Sequence, residues 1–227
     1  VNFYSTNIGS DALRPKDWLG NHWSSAVQVE HNATRETAGL FDESSFAKAR
    51  VSGARAGEFL NYVCANNVVK GVGKTTYTQA LNSKAGIESD YTVTQTADNE
   101  FFIVTGTAFS VHDFGWLEKM RREHSFDGVE ITNITRDLAC FALMGPKSRV
   151  ILQSLTDADL SHAAFPFMNS KEITVGDIKV RATRLTYVGE LGWELYLPVA
   201  DGLALWEKIM AAGKAHGIKA CGYRAIE

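Results

Sequence analysis

The stretch from Thr75 to Thr105 restricts the fold more than any other part of the chain. Thr75 to Leu81 alternates, and the polar run Asn82-Ser-Lys-Ala-Gly86 turns the chain. Ile87 to Gln95 alternates again, Ala97-Asp-Asn99 makes a second turn, and Phe101 to Thr105 is strongly apolar. Period-two segments joined by such short turns pair as antiparallel neighbours, because a parallel pair needs a crossover of a dozen or more residues. Two successive hairpins are therefore predicted, with Thr92 and Thr94 suited to a pleated surface.

The rest of the chain mixes helices with further strands. Helices are predicted over Trp23 to Thr37, with Gly39 as the stop, over Ala54 to Cys64, with Phe59, Leu60 and Val63 on one face, and over Ser110 to His124, with Phe114, Leu117 and Met120 inward. Gly145-Pro146 opens another, buried through Val150, Ile151, Leu152 and Leu155. Asp201 caps a last helix, whose stripe is Leu203, Trp206, Ile209 and Met210 and which Gly213 and Gly217 end. Strands are expected at Phe46–Val51, Val129–Ile134, Leu138–Met144, Trp193–Leu197 and Lys219–Cys221. Glu172–Val175 and Ile178–Tyr187 form a third hairpin around Gly176-Asp177. Hairpins in place of repeated βαβ units indicate an α+β fold. Residues 1 to about 20, with Pro15, read as an irregular arm.

The chain has 227 residues, enough for one large or two modest domains. A formal net charge of -3 argues against a nucleic-acid partner held by a basic surface. No apolar run approaches the roughly 18 residues of a membrane span. The start, Val1-Asn2-Phe3-Tyr4, lacks a signal-peptide pattern, and without an initiator Met the chain reads as part of something longer. Cys64, Cys140 and Cys221 are far apart and odd in number, which fits reduced, buried thiols in a cytoplasmic or mitochondrial-matrix setting.

Several motifs fail on inspection. Gly71-Val-Gly-Lys-Thr-Thr76 imitates the end of a phosphate loop, but Val68 stands where the first glycine belongs and a strand follows, not a helix. The six histidines show no metal-ligand spacing, so no metal is expected. Neither a G-x-S-x-G elbow nor a dinucleotide fingerprint occurs.

Two features remain. Asp90 lies inside a strand pattern, where aspartate is disfavoured, and sites are where local rules break. Its bland reading is a solvent face or a bulge. The run Tyr187-Val-Gly-Glu-Leu-Gly-Trp-Glu-Leu-Tyr196 joins two glycines, two acids and aromatics. Its alternation reads as a strand with one face buried and one face toward something else. A carboxylate after a glycine-rich turn, seven residues beyond a tyrosine, suits a flat heterocycle that donates hydrogen bonds: the ring of Tyr187 covers a face, and Glu194 accepts two donors from one edge. The same run also fits a hairpin with a surface glutamate.

Ala38-Gly-Leu-Phe-Asp42, Gly86-Ile-Glu-Ser-Asp90, Leu143-Met-Gly-Pro-Lys-Ser-Arg149, Phe165-Pro-Phe-Met168 and Thr186-Tyr-Val-Gly-Glu-Leu-Gly-Trp-Glu194 occur in this order. The ordered set resembles the tetrahydrofolate-binding aminomethyltransferase family, the glycine cleavage T-protein family. The nearest likeness is to the folate-binding part of dimethylglycine and sarcosine dehydrogenases. The resemblance covers residues 23 to 227. It implies two interwoven α+β domains with antiparallel sheets flanked by helices: residues 1–48 plus 141–227, and the inserted 49–140. A C-terminal barrel domain normally follows in the family and is missing from this chain. The resemblance further implies tetrahydrofolate as cofactor, with Asp90 catalytic, Glu194 on the pterin edge, Tyr187 lining the pterin, and Thr92, Tyr77 and Val104 lining the pocket. The family's arginine near position 226 is replaced by Ile226, and the second carboxylate beside the catalytic aspartate is replaced by Ser89. The expected activity is one-carbon transfer from a small methylated amine or amino acid. A flavin domain or subunit is an expected partner, and FAD is expected only with such a domain. The alternative is a folate-binding module without catalysis.

Overall fold

The computed structural model describes residues 25–225. The N-terminal arm, Trp23 and Ile226 lie outside that range. The chain runs α1 (Ser25–Glu36), β1 (Gly39–Asp42), β2 (Ala47–Ser52), α2 (Ala56–Val63), β3 (Thr75–Leu81), β4 (Ile87–Ala97), β5 (Glu100–Thr105), α3 (Ser110–Glu123), β6 (Glu130–Asn133) and β7 (Leu138–Met144). It continues through α4 (Ser148–Gln153), β8 (Asn169–Val175), β9 (Ile178–Arg184), β10 (Gly192–Pro198), α5 (Gly202–Gly213) and β11 (Lys219–Cys221). Among the described residues no helix is long and apolar enough to cross a membrane.

The strands form two sheets, one ordered β11-β1-β7-β10-β9-β8 and the other β3-β4-β5-β2-β6. All pairings are antiparallel except β1 with β11, which is parallel. The fold is α+β, and no closed barrel occurs among the described residues. The three hairpins are present as the alternation predicts.

Each sheet buries one apolar face under helices. In the six-stranded sheet that face carries Leu40, Phe141, Leu143, Trp193 and Leu195, which cluster with Ile151 and Leu152 of α4 and Leu205 and Ile209 of α5. In the five-stranded sheet it carries Ala49, Val51, Tyr91, Val93 and Ile103, packed with Phe59 and Leu60 of α2 and Leu117 of α3. Period-two geometry sends the intervening residues to the opposite faces. These other faces meet, and Phe102 and Val104 of one sheet cluster with Cys140 and Tyr196 of the other. The order of layers is therefore helices, sheet, sheet, helices, with a seam between the sheets.

The sheets are also tied at one edge. Thr75 N–H donates to Met168 O at 3.0 Å, Ser170 N–H to Gly73 O at 2.8 Å, and Lys74 Nζ to Asn169 Oδ1 at 2.8 Å. Gly71 and Gly73 hold positive φ, as the turn before β3 requires, and no helix follows them.

Three expectations are corrected. Gly39 does not end α1; it begins β1, a four-residue strand squeezed between the helix and Ser44. The helix after Gly145-Pro146 starts two residues late, at Ser148, and Val150 is exposed while Ile151 and Leu152 are buried. In α5 the buried line is Gly202, Leu205, Ile209 and Gly213, and Leu203 is 71% exposed. The contact with Ala139 and Phe141 sets that phase, because Gly202 packs directly against them. The strand β10 has one face in the core and the other toward the second sheet, and Gly192 to Leu197 are all buried. A strand between two layers alternates between two interiors, which the pattern of one sequence segment does not reveal.

Candidate functional site

Strand register builds the site row by row. Tyr77 pairs with Thr92, Thr92 with Val104, and Val104 with Lys48. Directly paired residues share a face, so these four form one continuous line across β3, β4, β5 and β2 on the seam side. The next row begins with Gln79 paired to Asp90. Across the seam, Glu194 pairs with Ala142 and Thr183, and Tyr196 pairs with Cys140 and Arg181. Residues two apart on β10 share a face, so Glu194 and Tyr196 both point into the seam.

At one end the seam opens as a cleft of about 490 Å³, and Tyr77, Asp90, Thr92, Val104, Tyr187 and Glu194 all line it. Residues that are far apart in the sequence thus meet around one space, of a size usual for small-molecule sites. A second cavity of about 610 Å³ lies at the other end of the seam, lined in part by Arg50, Phe102, Arg181 and Tyr196, and none of the six borders it.

The two acids sit differently. Glu194 is 5% exposed, and its Oε2 accepts a hydrogen bond from the Tyr196 hydroxyl. Burial pushes its carboxyl up to about 7, with the Tyr196 bond and the charge of Lys48 pulling the other way. The reading of a surface glutamate is therefore excluded. Asp90 lies on the open side, exposed, and its Oδ2 accepts from the Tyr77 hydroxyl at 2.7 Å. That bond, the largest influence on Tyr77, raises its phenol above the usual range. Tyr91 and Val93, which alternate with Asp90 and Thr92 along β4, are buried in the core beneath.

The mouth is aromatic. Tyr187 is 69% exposed, and Tyr77, Phe109 and Tyr223 are also largely exposed. Gly189, at φ 86°, turns the loop between β9 and β10 in a conformation that disfavours a side chain. Gly192 lets β10 approach β7, where an added Cβ would collide with the sulfur of Met144 and lie 3.0 Å from Leu143 O.

Two observations bear on a flat, polar ligand. The Thr186 hydroxyl lines the cleft, buried and without a hydrogen-bond partner. Glu194 engages Tyr196 through one oxygen while lining the same space. A ring with hydrogen-bonding edges and two faces for stacking fits that combination.

Sequence reasoning missed Lys48, Glu43, Thr186 and Tyr196. Lys48 is fully buried in a strand, a broken local rule of the kind that singles out Asp90. Tyr196 follows Glu194 by two residues, which at strand period places it on the same face. Ser89, where the family has a second carboxylate, donates to Asp113 Oδ1 at 2.8 Å, and Thr105 donates to Oδ2. The buried Asp113 carboxylate thus ties β4, the strand that carries Asp90, to β5.

Comparison with known proteins gives concordant matches. The model of the GCVT N-terminal domain matches residues 2–227. The mitochondrial dimethylglycine dehydrogenase of Rattus norvegicus is 35% identical over 218 residues, 96% of this chain and 25% of that protein. An aminomethyltransferase of Geobacillus thermodenitrificans is 36% identical over 202 residues, covering 88% of this chain and 54% of that protein. The crystal structure of glycine cleavage system aminomethyltransferase T from Bartonella henselae superposes with a TM-score of 0.74 at 32% identity, over 88% of this chain and 52% of that one. The chain thus spans about a quarter to a half of these relatives.

Proposed function

Because the chain belongs to the family of the GCVT N-terminal domain, shared with aminomethyltransferases and with dimethylglycine and sarcosine dehydrogenases, we propose that it carries out tetrahydrofolate-dependent one-carbon transfer. The donor is a small methylated amine or amino acid that gives up a methyl or aminomethyl group. The observation that carries this reading is the meeting of Glu194 and Asp90 in one aromatic-mouthed cleft. A flavin domain or subunit is the proposed partner, and FAD enters only with it. We also propose that residues 1–48 plus 141–227 and residues 49–140 are two domains. The division into two sheets supports this.

Tetrahydrofolate supplies reduced-ring nitrogens that take up a one-carbon unit. The protein's part is binding, orientation and proton handling. Glu194 accepts hydrogen bonds from the ring edge, made strong by burial of the carboxylate. Tyr187 covers a ring face, and Tyr77, Thr92 and Val104 form the opposing wall. Holding the reactants in place provides much of the rate for a reaction of this type. Asp90, steadied by the Tyr77 hydroxyl, receives a proton or opposes positive charge as it develops.

Calorimetry with tetrahydrofolate and folinic acid tests the binding, and turnover of the natural full-length protein tests the chemistry. Glu194→Ala is expected to weaken folate binding by roughly a hundredfold, the loss of two hydrogen bonds to a charge. Asp90→Asn is expected to bind folate normally and lose roughly a hundredfold to ten-thousandfold in rate. Unchanged affinity in the first variant refutes the assignment. A full-length protein that binds folate and never turns over is a binding module.

A further inference from the structure

The row Tyr77–Thr92–Val104 ends on Lys48, whose side chain has no exposed surface. Its ammonium donates to Ser44 O and Phe46 O, both at 2.9 Å, and forms no salt bridge among the described residues. Directly before Ser44 stands Glu43, 1% exposed, with its Oε2 buried and lacking any hydrogen-bond partner. Glu43 extends the line of β1: its N–H donates to Cys140 O at 2.9 Å, and Cys140 pairs with Tyr196. Lys48, Glu43 and Glu194 thus converge on one buried seam. Two acids and one amine share it, so with the amine charged the seam is electrically balanced when one acid is ionised and the other keeps a proton. An uncompensated buried charge is too costly for any other resting state.

We propose that Lys48 is a positioning residue that sets the charge of the ligand-holding carboxyl. Lys48 keeps Glu194 ionised, and Glu43 holds the single proton of the seam. The inference rests on the proposed folate role only where ligand binding is the readout.

The remaining groups around Glu194 leave this division intact. Asp42, at the end of β1, is exposed. Cys140 on β7 and Tyr196 on β10 are pushed up by burial and stay neutral. Asp90, Tyr77, Tyr187 and Tyr223 stand on the open side, in the cleft. Glu43 is raised well above its ordinary value, first by burial and then by the charge of Glu194, and its buried Oε2, which no donor reaches among the described residues, is the place for the seam's proton. Lys48 is lowered by burial and opposed by its acidic neighbours.

The test is a carbon NMR titration of glutamate side-chain carboxyls in the ligand-free protein from about pH 5 to about pH 9. Glu194→Gln identifies the Glu194 signal by removing it. Lys48→Met is expected to raise its midpoint by about one pH unit or more, and Lys48→Arg to restore it. Glu43→Gln is expected to leave that midpoint in place and to remove a second, more alkaline titration. A midpoint that does not move in Lys48→Met, or that rises equally in Glu43→Gln, overturns the proposal. If Lys48→Met does not fold, a raised midpoint in Lys48→Arg overturns it as well. In calorimetry with folinic acid, Lys48→Met should lose roughly tenfold in affinity at neutral pH and regain it in alkali. An equal loss at every pH marks a merely structural lysine and overturns the proposal. The shifted titration without any folinic acid binding would leave the charge assignment standing and end the folate reading instead.

Discussion

Leu195 and Glu194 are adjacent in β10, and both are buried. Leu195 packs among Phe141, Ala182 and Ile209 under the helices. Glu194 faces the second sheet, among Tyr196, Lys48 and Glu43. The same strand therefore serves two interiors of opposite character. Under the helices, stability comes from apolar burial. In the seam, the sheets meet over ionisable groups whose desolvation works against folding. The comparison teaches that the molecule gathers buried ionisable groups where its two sheets touch and apolar burial beneath its helices.

Substitutions at these two neighbours sharpen the contrast. Leu195→Ala is expected to destabilise by about 2–5 kcal/mol, equally at all pH values, through a cavity that cannot collapse. Thermal melts across pH check this. Glu194→Gln should behave in the opposite way. A carboxyl pushed from about 4.5 to about 7 binds its proton more tightly when folded. Stability is then intact below the unfolded value and falls as pH rises through the folded one. The cost above neutrality is roughly 3 kcal/mol, from about 1.4 kcal/mol per pH unit. Glu194→Gln should recover most of it at alkaline pH and almost none near pH 4. A melting difference independent of pH would break the contrast.

Smaller effects follow. Gly192→Ala, which forces β10 off Met144, should cost about 1–3 kcal/mol by denaturant titration. Tyr77→Phe removes a single hydrogen bond at an exposed carboxylate. It should change stability by less than about 1 kcal/mol and lower turnover more than folate affinity.

Much of this organisation is legible in the sequence, for reasons that differ by residue. The hairpins are fixed by local turns. Asp90 stands out because it breaks a strand pattern, and the ordered motifs point to Glu194. The burial of Glu194 is not legible, because alternation reports that a face differs and not what covers it. β1 is hidden because four residues between a helix and a turn carry no period, so Gly39 reads as a stop. Leu203 is mistaken for core because a helix rich in apolar residues offers more than one stripe, and only Ala139 and Phe141 select among them. Glu43 is the least legible: Glu194, whose charge acts on it, comes from β10, far away in the chain.

The edge tie through Thr75–Met168 and Ser170–Gly73 governs how anything gets in or out. Layers bolted along one side by main-chain bonds do not swing like a clamshell. Traffic passes instead through the fringe of Tyr187, Phe109 and Tyr223 at the mouth of the cleft. Such a port admits a planar guest edge-on, and its dimensions are settled before the guest arrives.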